Sequence, residues 1–276
     1  MKKLSVITIH GMGVTPRGYA DEFGRLLSKQ VGRDTWDNEI HFAQIYYQDE
    51  LQANQDRVWR HTRPKVDWKK LRRFLLFGFS DAASLESNKY ESNSKYTGVQ
   101  QIILDTFREA FSEMGERAGP VVFVGHSLGC QVISNYLWDS TRRSGASVGV
   151  WQEQPGGIER GSPLDRVARG KTIRRLYTSG CNIPIFVAGH DTIKPIPRLN
   201  KTFQWHNYYD EDDVLGWPLK PLSDGYRKLV NDHEINAGGH WYETPFMGWH
   251  PLSHTTYWRD SDFVSPVAAF VRSQLG

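Results

Sequence analysis

The chain has 276 residues, with 34 Lys and Arg against 31 Asp and Glu, a formal net charge of +3 and a mean hydropathy of −0.55. With 39% apolar and 24% charged residues, this balance excludes a bilayer-spanning protein and a disordered chain. So small an excess of positive charge, with a pI near 8.7, names no nucleic-acid partner.

Leu4-Ser5-Val6-Ile7-Thr8-Ile9 is rich in β-branched residues and ends at His10-Gly11-Met12-Gly13, which predicts a strand entering a Gly-rich loop. Pro16 can open a helix, and Tyr19, Phe23, Leu26 and Leu27 recur at helical spacing before Gly32. A second strand is expected around Ile40 to Tyr47.

Residues 49–97 break this alternation with charge, tryptophan and polar runs and read as a lid-like insertion. Its stretch 68–79, Trp-Lys-Lys-Leu-Arg-Arg-Phe-Leu-Leu-Phe-Gly-Phe, predicts a short amphipathic helix with a basic face. A packed surface helix is the expected arrangement, and the same stretch invites weak contact with a membrane surface.

Ile102, Ile103, Phe107 and Phe111 mark a helix from Val99 to Phe111. Val121-Val122-Phe123-Val124 then predicts a strand buried on both faces of a parallel sheet, and Val132, Ile133, Tyr136 and Leu137 continue at helical spacing. A polar segment, 140–170, reads as a second excursion. Ile173 to Thr178 and Phe203 to Tyr209 are predicted strands, Ile183 to Ala188 is another apolar run, and Phe263, Val264, Val267, Phe270 and Val271 give a closing helix.

Such alternation implies a three-layer α/β/α sandwich with a mostly parallel sheet, in one domain spanning 1–276, whose functional loops gather at the carboxyl edge. Met1-Lys2-Lys3 precedes too short and interrupted an apolar run for an export signal, so a cytoplasmic location is expected. Two cysteines, Cys130 and Cys181, cannot build a disulfide framework and are expected to be reduced and partly buried.

Between the buried strand and its helix lies Gly125-His126-Ser127-Leu128-Gly129, a G-x-S-x-G pentapeptide. In that context the serine occupies a sharp, strained turn with its hydroxyl thrust over the sheet edge. Ser127 is the candidate nucleophile and needs a base within hydrogen-bond reach and a group to orient that base. For the base, His254 stands out in the loop before the closing helix, with His250 and His240 as rivals.

For the acid, Asp210-Glu211-Asp212-Asp213 follows a predicted strand and precedes Val214-Leu215, which turns Asp213 inward. Asp191, after an apolar run and a glycine, and Asp210 remain alternatives. The tetrahedral oxyanion of acyl transfer calls for two N–H donors. Leu128 supplies one, and the His10-Gly11-Met12 loop supplies the other, Met12 ahead of Gly11. Neither a dinucleotide fingerprint nor a phosphate-loop lysine is present, and no metal-ligand spacing occurs, so neither cofactor nor metal is expected.

These residues, in this order, resemble the α/β-hydrolase superfamily over most of the chain outside the two excursions. The resemblance implies a serine triad of esterase or lipase type acting on a small-molecule acyl ester. Gly180 ending one strand and Asp213 at the end of the next resemble the lipase-type placement of the acid, which ranks Asp213 above Asp191. The chain departs from the family in leading directly from its first strand to the oxyanion loop, without two earlier antiparallel strands. A peptidase, amidase or thioesterase on the same triad, or a catalytically silent interaction protein of the same fold, are the alternatives.

Overall fold

The computed structural model describes residues 1–86, 91, 94–142, 147–237, 254 and 256–275. Six strands form one sheet: β1 (Leu4–Ile9), β2 (Ile40–Ile45), β3 (Val121–His126), β4 (Ile173–Ser179), β5 (Gln204–Tyr209) and β6 (Val230–Glu234). Their order is β2-β1-β3-β4-β5-β6, and every neighbouring pair is parallel. β1 leads straight into the His10–Gly13 loop.

Alternate side chains of the central strands feed two cores, as the twofold period of a pleated strand requires. Leu4, Val6, Val122 and Val124 face helices α1 (Asp21–Val31) and α10 (Ser261–Ser273), which supply Phe23, Leu27, Phe263, Val264 and Val267. Ile7, Ile9, Val121 and Phe123 face the other side, where α5 (Lys95–Glu113) and α6 (Leu128–Thr141) bring Ile103, Phe107, Ile133 and Tyr136. Strands with both faces covered select apolar and β-branched residues, which makes β3 legible at once and β1 legible despite its buried Ser5 and Thr8.

Several local readings are corrected. The first long helix starts at Asp21, so Pro16 lies in the preceding loop, and Gly18 there takes a left-handed φ of 73° that a helix start at Pro16 would forbid. A second helix, α2 (Arg33–Glu39), follows α1 directly. The 49–97 stretch holds two helices rather than one, α3 (Gln48–Thr62) and α4 (Lys69–Glu86), joined through a short 3-10 turn, before α5 begins. Within 140–170, Pro163 opens α7 (Pro163–Ala168), capped by the Ser162 hydroxyl, and buried Asp165 pairs with Arg169 at 2.8 Å. The apolar run at 183 is the short helix α8 (Ile183–Val187), with Pro184 in its first turn. Strand β6 and the helix before it, α9 (Asp224–Leu229), complete the sheet's far edge. Cys130 and Cys181 are both free and buried.

The topology also says where to look for a site. From β1 the chain steps to β2 on one side and returns to β3 on the other, so the order reverses between β1 and β3. Loops leaving the carboxyl ends of such neighbours diverge and open a crevice.

Candidate active site

The loop from β1 and the elbow from β3 meet at that crevice. Ser127 has φ 53° and ψ −126°, a conformation that costs a non-glycine residue on the order of 1–3 kcal/mol. It is held there by bonds on both sides: the Ser127 amide donates to the Ser179 carbonyl at 3.0 Å, and its own carbonyl accepts from Cys130 N–H at 3.0 Å. Gly11 crosses directly over it, where a Cβ would lie 2.6 Å from Ser127 Cβ. This close approach requires glycine at position 11.

Ser127, His254 and Asp213, predicted separately, are brought into one hydrogen-bonded chain. The Ser127 hydroxyl lies 2.7 Å from His254 Nε2, and His254 Nδ1 lies 2.8 and 3.1 Å from the two Asp213 oxygens. All three are buried. A carboxylate can only accept here, so Nδ1 carries the proton and Nε2 is free to accept from the hydroxyl. Gly180, left-handed at φ 52°, passes beneath, with room for no Cβ beside the His254 ring at 2.9 Å.

Asp213 is fixed by two further donors. Leu215 N–H bonds Oδ1 at 3.0 Å and the Tyr257 hydroxyl bonds Oδ2 at 2.9 Å. Burial pushes its carboxyl upward, but the His254 bond and charge, the Leu215 amide and the Tyr257 hydroxyl outweigh it and hold the group below the usual carboxylate value. The Tyr257 oxygen in turn accepts from Asp210 N–H at 2.9 Å.

Asp210 and Asp191 are not partners of the histidine. The Asp210 carboxylate staples the loop, accepting from Asp212 N–H at 2.9 Å and Ala237 N–H at 2.8 Å. Asp191 is exposed in the loop after α8, because the apolar run before it is a helix and not a strand that would carry it to the sheet edge. The rival histidines, His240 and His250, lie outside the described residues.

The predicted oxyanion loop is braced by its own His10 and by Tyr47 and Asp81, which the sequence did not single out. His10 is 2% exposed; its Nδ1 donates to the Gly11 carbonyl at 2.7 Å and its Nε2 accepts from Tyr47 N–H at 3.2 Å. The Tyr47 hydroxyl bridges the carbonyls of His10 and Gly11 at 3.0 and 3.1 Å, and its ring stacks on His10. Those carbonyls are thus turned toward Tyr47. From the other side Asp81, on α4, accepts Gly13 N–H at 3.0 Å, and Gly78 leaves room for the Met12 sulfur. Apart from the His10–Gly11 bond, these contacts span 36 to 68 residues in sequence and leave no local pattern to read.

Above the hydroxyl opens a cleft of about 380 Å³ reached by His10, Gly11, Met12, Ser127 and His254. Met12, Val14, Tyr19, Phe23, Leu215 and Trp258 make much of its wall apolar, and the Arg259–Glu22 pair stands at its side at 2.6 Å. Leu128, the first residue of α6, presents its amide at a helix N-terminus, where the dipole favours negative charge. The His126 ring lies 4.8 Å from that of His254, tilted by 42°; burial, with the His254 charge next, pushes its pKa down to about 3.

His10 makes acid stability a measurable consequence of this site. Burial, opposed by its bond to Gly11, lowers its pKa to about 4 from an ordinary 6.5. Between those values the unfolded chain takes up a proton that the folded chain refuses, so stability falls as pH falls through that window. The loss from His10 is on the order of 2 kcal/mol at pH 5. His126 acts in the same sense, whereas the raised carboxyls of Asp81 and Asp210 partly offset it at the acid end. Thermal melts at pH 7.5 and 5 should show a lower Tm in acid, with a smaller drop in His10→Asn. An equal drop in the variant would remove His10 from this account.

The chain matches no protein-family model and no curated protein sequence. Among solved structures it is similar to a cutinase-like protein from Cryptococcus sp. at 11% identity, covering 99% of this chain and 95% of that one, with a TM-score of 0.43. It is similar at 13% identity to a putative hydrolase of the alpha/beta superfamily from Xanthomonas campestris, covering 98% of both chains with a TM-score of 0.43. Esterase PE8 is similar at 12% identity, over 99% of this chain and 93% of that one, again with a TM-score of 0.43. These likenesses are distant. The strand order, the serine elbow after β3 and the later aspartate and histidine together make the fold an α/β-hydrolase fold.

Proposed function

We propose that the protein is a serine hydrolase that cleaves a carboxylic ester or related acyl compound through an acyl-enzyme. The observation that carries this reading is the Ser127–His254–Asp213 chain, with contacts of 2.7 and 2.8 Å at the mouth of an apolar cleft. Ser127 Oγ attacks the carbonyl carbon while His254 Nε2 takes its proton, and Asp213 holds the imidazole in the required tautomer and stabilises its charge. The oxyanion is received by the Leu128 and Met12 amides, Met12 being presented by the loop that Tyr47 and Asp81 hold. His254 returns the proton to the leaving alcohol. Water, deprotonated by the same imidazole, then releases the acid and regenerates the serine, a sequence that needs no cofactor.

The two insertion helices fit the role of a cap, since α4 touches the Met12–Gly13 loop that lines the cleft. The apolar wall favours an uncharged acyl or alcohol group.

The test is labelling by a fluorophosphonate probe, which phosphonylates only an activated serine, beside hydrolysis of p-nitrophenyl esters of graded chain length. Wild type should label and turn over, and both Ser127→Ala and His254→Ala should do neither. Labelling that persists in Ser127→Ala would sink the assignment. Parallel amide and thioester substrates separate the peptidase, amidase and thioesterase alternatives by leaving group.

A further inference from the structure

The small net charge conceals a strong local one. Residues 57–73 contain eight Lys and Arg against the single Asp67, a net of +7; since the whole chain is +3, the other 259 residues sum to −4. The run covers the end of α3, the 3-10 turn Arg63–Lys65 and the start of α4. Arg57, Arg60, Arg63, Lys65, Lys69, Arg72 and Arg73 are all exposed, and none of them forms an ion pair among the described residues.

The same surface carries large apolar side chains that a solvated face does not need. Trp68 is 77% exposed, Phe79 68%, Val58 44% and Leu75 38%, four of the nine large apolar residues most open to solvent in the described structure. Arg72, Leu75 and Phe79 follow a spacing of three and four, which places them on one stripe of α4, and Trp68, left-handed at φ 56°, stands immediately before its first turn. The opposite stripe is the packed one, with Phe77, Asp81 and Leu85 buried. The helix is therefore anchored on one side and amphipathic on the side left open.

From this juxtaposition we propose that the α3–α4 hairpin docks the protein on an anionic lipid surface, with arginine and lysine at the headgroups and Trp68, Leu75 and Phe79 at the acyl boundary. A basic polar face beside Trp, Phe and Leu is the pattern of a helix lying in a membrane interface. A nucleic-acid backbone would engage the same charges but gives Val58 and Leu75 nothing to bury against. No described helix is long and apolar enough to cross a membrane, so the contact is peripheral. The docked hairpin also grips the loop lining the cleft, because Asp81 and Gly78 contact Gly13 and Met12.

This inference does not depend on the hydrolytic reading, because its test needs no turnover. The full chain is co-sedimented with vesicles of phosphatidylcholine alone and of equimolar phosphatidylcholine and phosphatidylglycerol, at low and high salt. Binding is expected only to the anionic vesicles and should weaken steeply as salt shortens the screening length from about 10 Å at 0.1 M to about 3 Å at 1 M. Arg60→Glu/Arg72→Glu/Arg73→Glu should lose at least about tenfold in vesicle affinity, and Trp68→Ser/Phe79→Ser should bind more weakly than wild type at equal charge. Circular dichroism melts establish that each variant folds, and the salt series on wild type stands without them. Equal binding to neutral vesicles, no binding to either, or binding of a single-stranded oligonucleotide where anionic vesicles do not bind would each overturn the proposal.

Discussion

Asp213→Asn should lower kcat for a p-nitrophenyl ester by about 10⁴ while leaving the melting temperature within a few degrees of wild type. The carboxylate accepts three hydrogen bonds, from Leu215 N–H on one oxygen and from His254 Nδ1 and the Tyr257 hydroxyl on the other. A carboxamide has one acceptor end and one donor end. If its oxygen keeps Leu215, its NH2 faces Nδ1 and draws the imidazole into the tautomer with the proton on Nε2, which cannot accept from Ser127. If it turns over, the NH2 opposes the Leu215 amide instead. Asp191→Asn is the control and should be silent, since Asp191 stands exposed and apart from the histidine. A loss of less than tenfold at position 213, or an equal loss at 191, would move the acid elsewhere.

The second large effect concerns the two glycines of the pentapeptide, which look equivalent in sequence and are not. A Cβ at Gly129 would lie 2.4 Å from the His10 carbonyl and 2.9 Å from that of Ile9, both backbone atoms of the β1 end. No side chain there can rotate away, so relief requires moving a central strand against its neighbour. At Gly125 the nearest atom is Cys130 Cα at 3.5 Å, an ordinary contact. Gly129→Ala should destabilise by about 3 kcal/mol or more and disturb the oxyanion loop, whereas Gly125→Ala should cost under about 1 kcal/mol. Chemical denaturation of both variants checks this. Equal costs would mean that the close approach of α6 to β1 is not what the second glycine serves.

What the sequence revealed and what it concealed divide on physical grounds. Strands β1 and β3 lie in the sheet's interior, where burial on both faces selects apolar and β-branched residues, so they were plain even with Ser5 and Thr8 set into β1. Ser127, Asp213 and His254 could be picked out as candidates because each sits where a strand end or a pre-helix loop reaches the carboxyl edge. Strand β6, Val-Asn-Asp-His-Glu, is an edge strand with little of it buried, so it carries no apolar signature. Ile183 to Val187 has the composition of a strand and became a helix because Pro184 suits a first turn and the sheet had no opening for it. Tyr47, Asp81 and Tyr257 escaped notice because tethering a loop across the fold requires only a hydroxyl or a carboxylate at the right distance. Such residues follow no period.

The packing of α1 against α10 has a consequence for how the chain is made. Phe23 and Phe263 meet at 5.9 Å, and Arg272 reaches the Gln30 carbonyl at 2.8 Å, so the face bearing Val122 and Val124 is shared between a helix near the start of the chain and the last one. On the ribosome, β1 and β3 are finished long before α10 emerges, and until then α1 alone shields that apolar surface. At about 5–20 residues per second the interval is on the order of 10 to 30 seconds. The nascent chain thus carries a half-covered hydrophobic sheet for most of its synthesis, a span in which a holdase chaperone, or the chain's neighbours on a polysome, has first access to it.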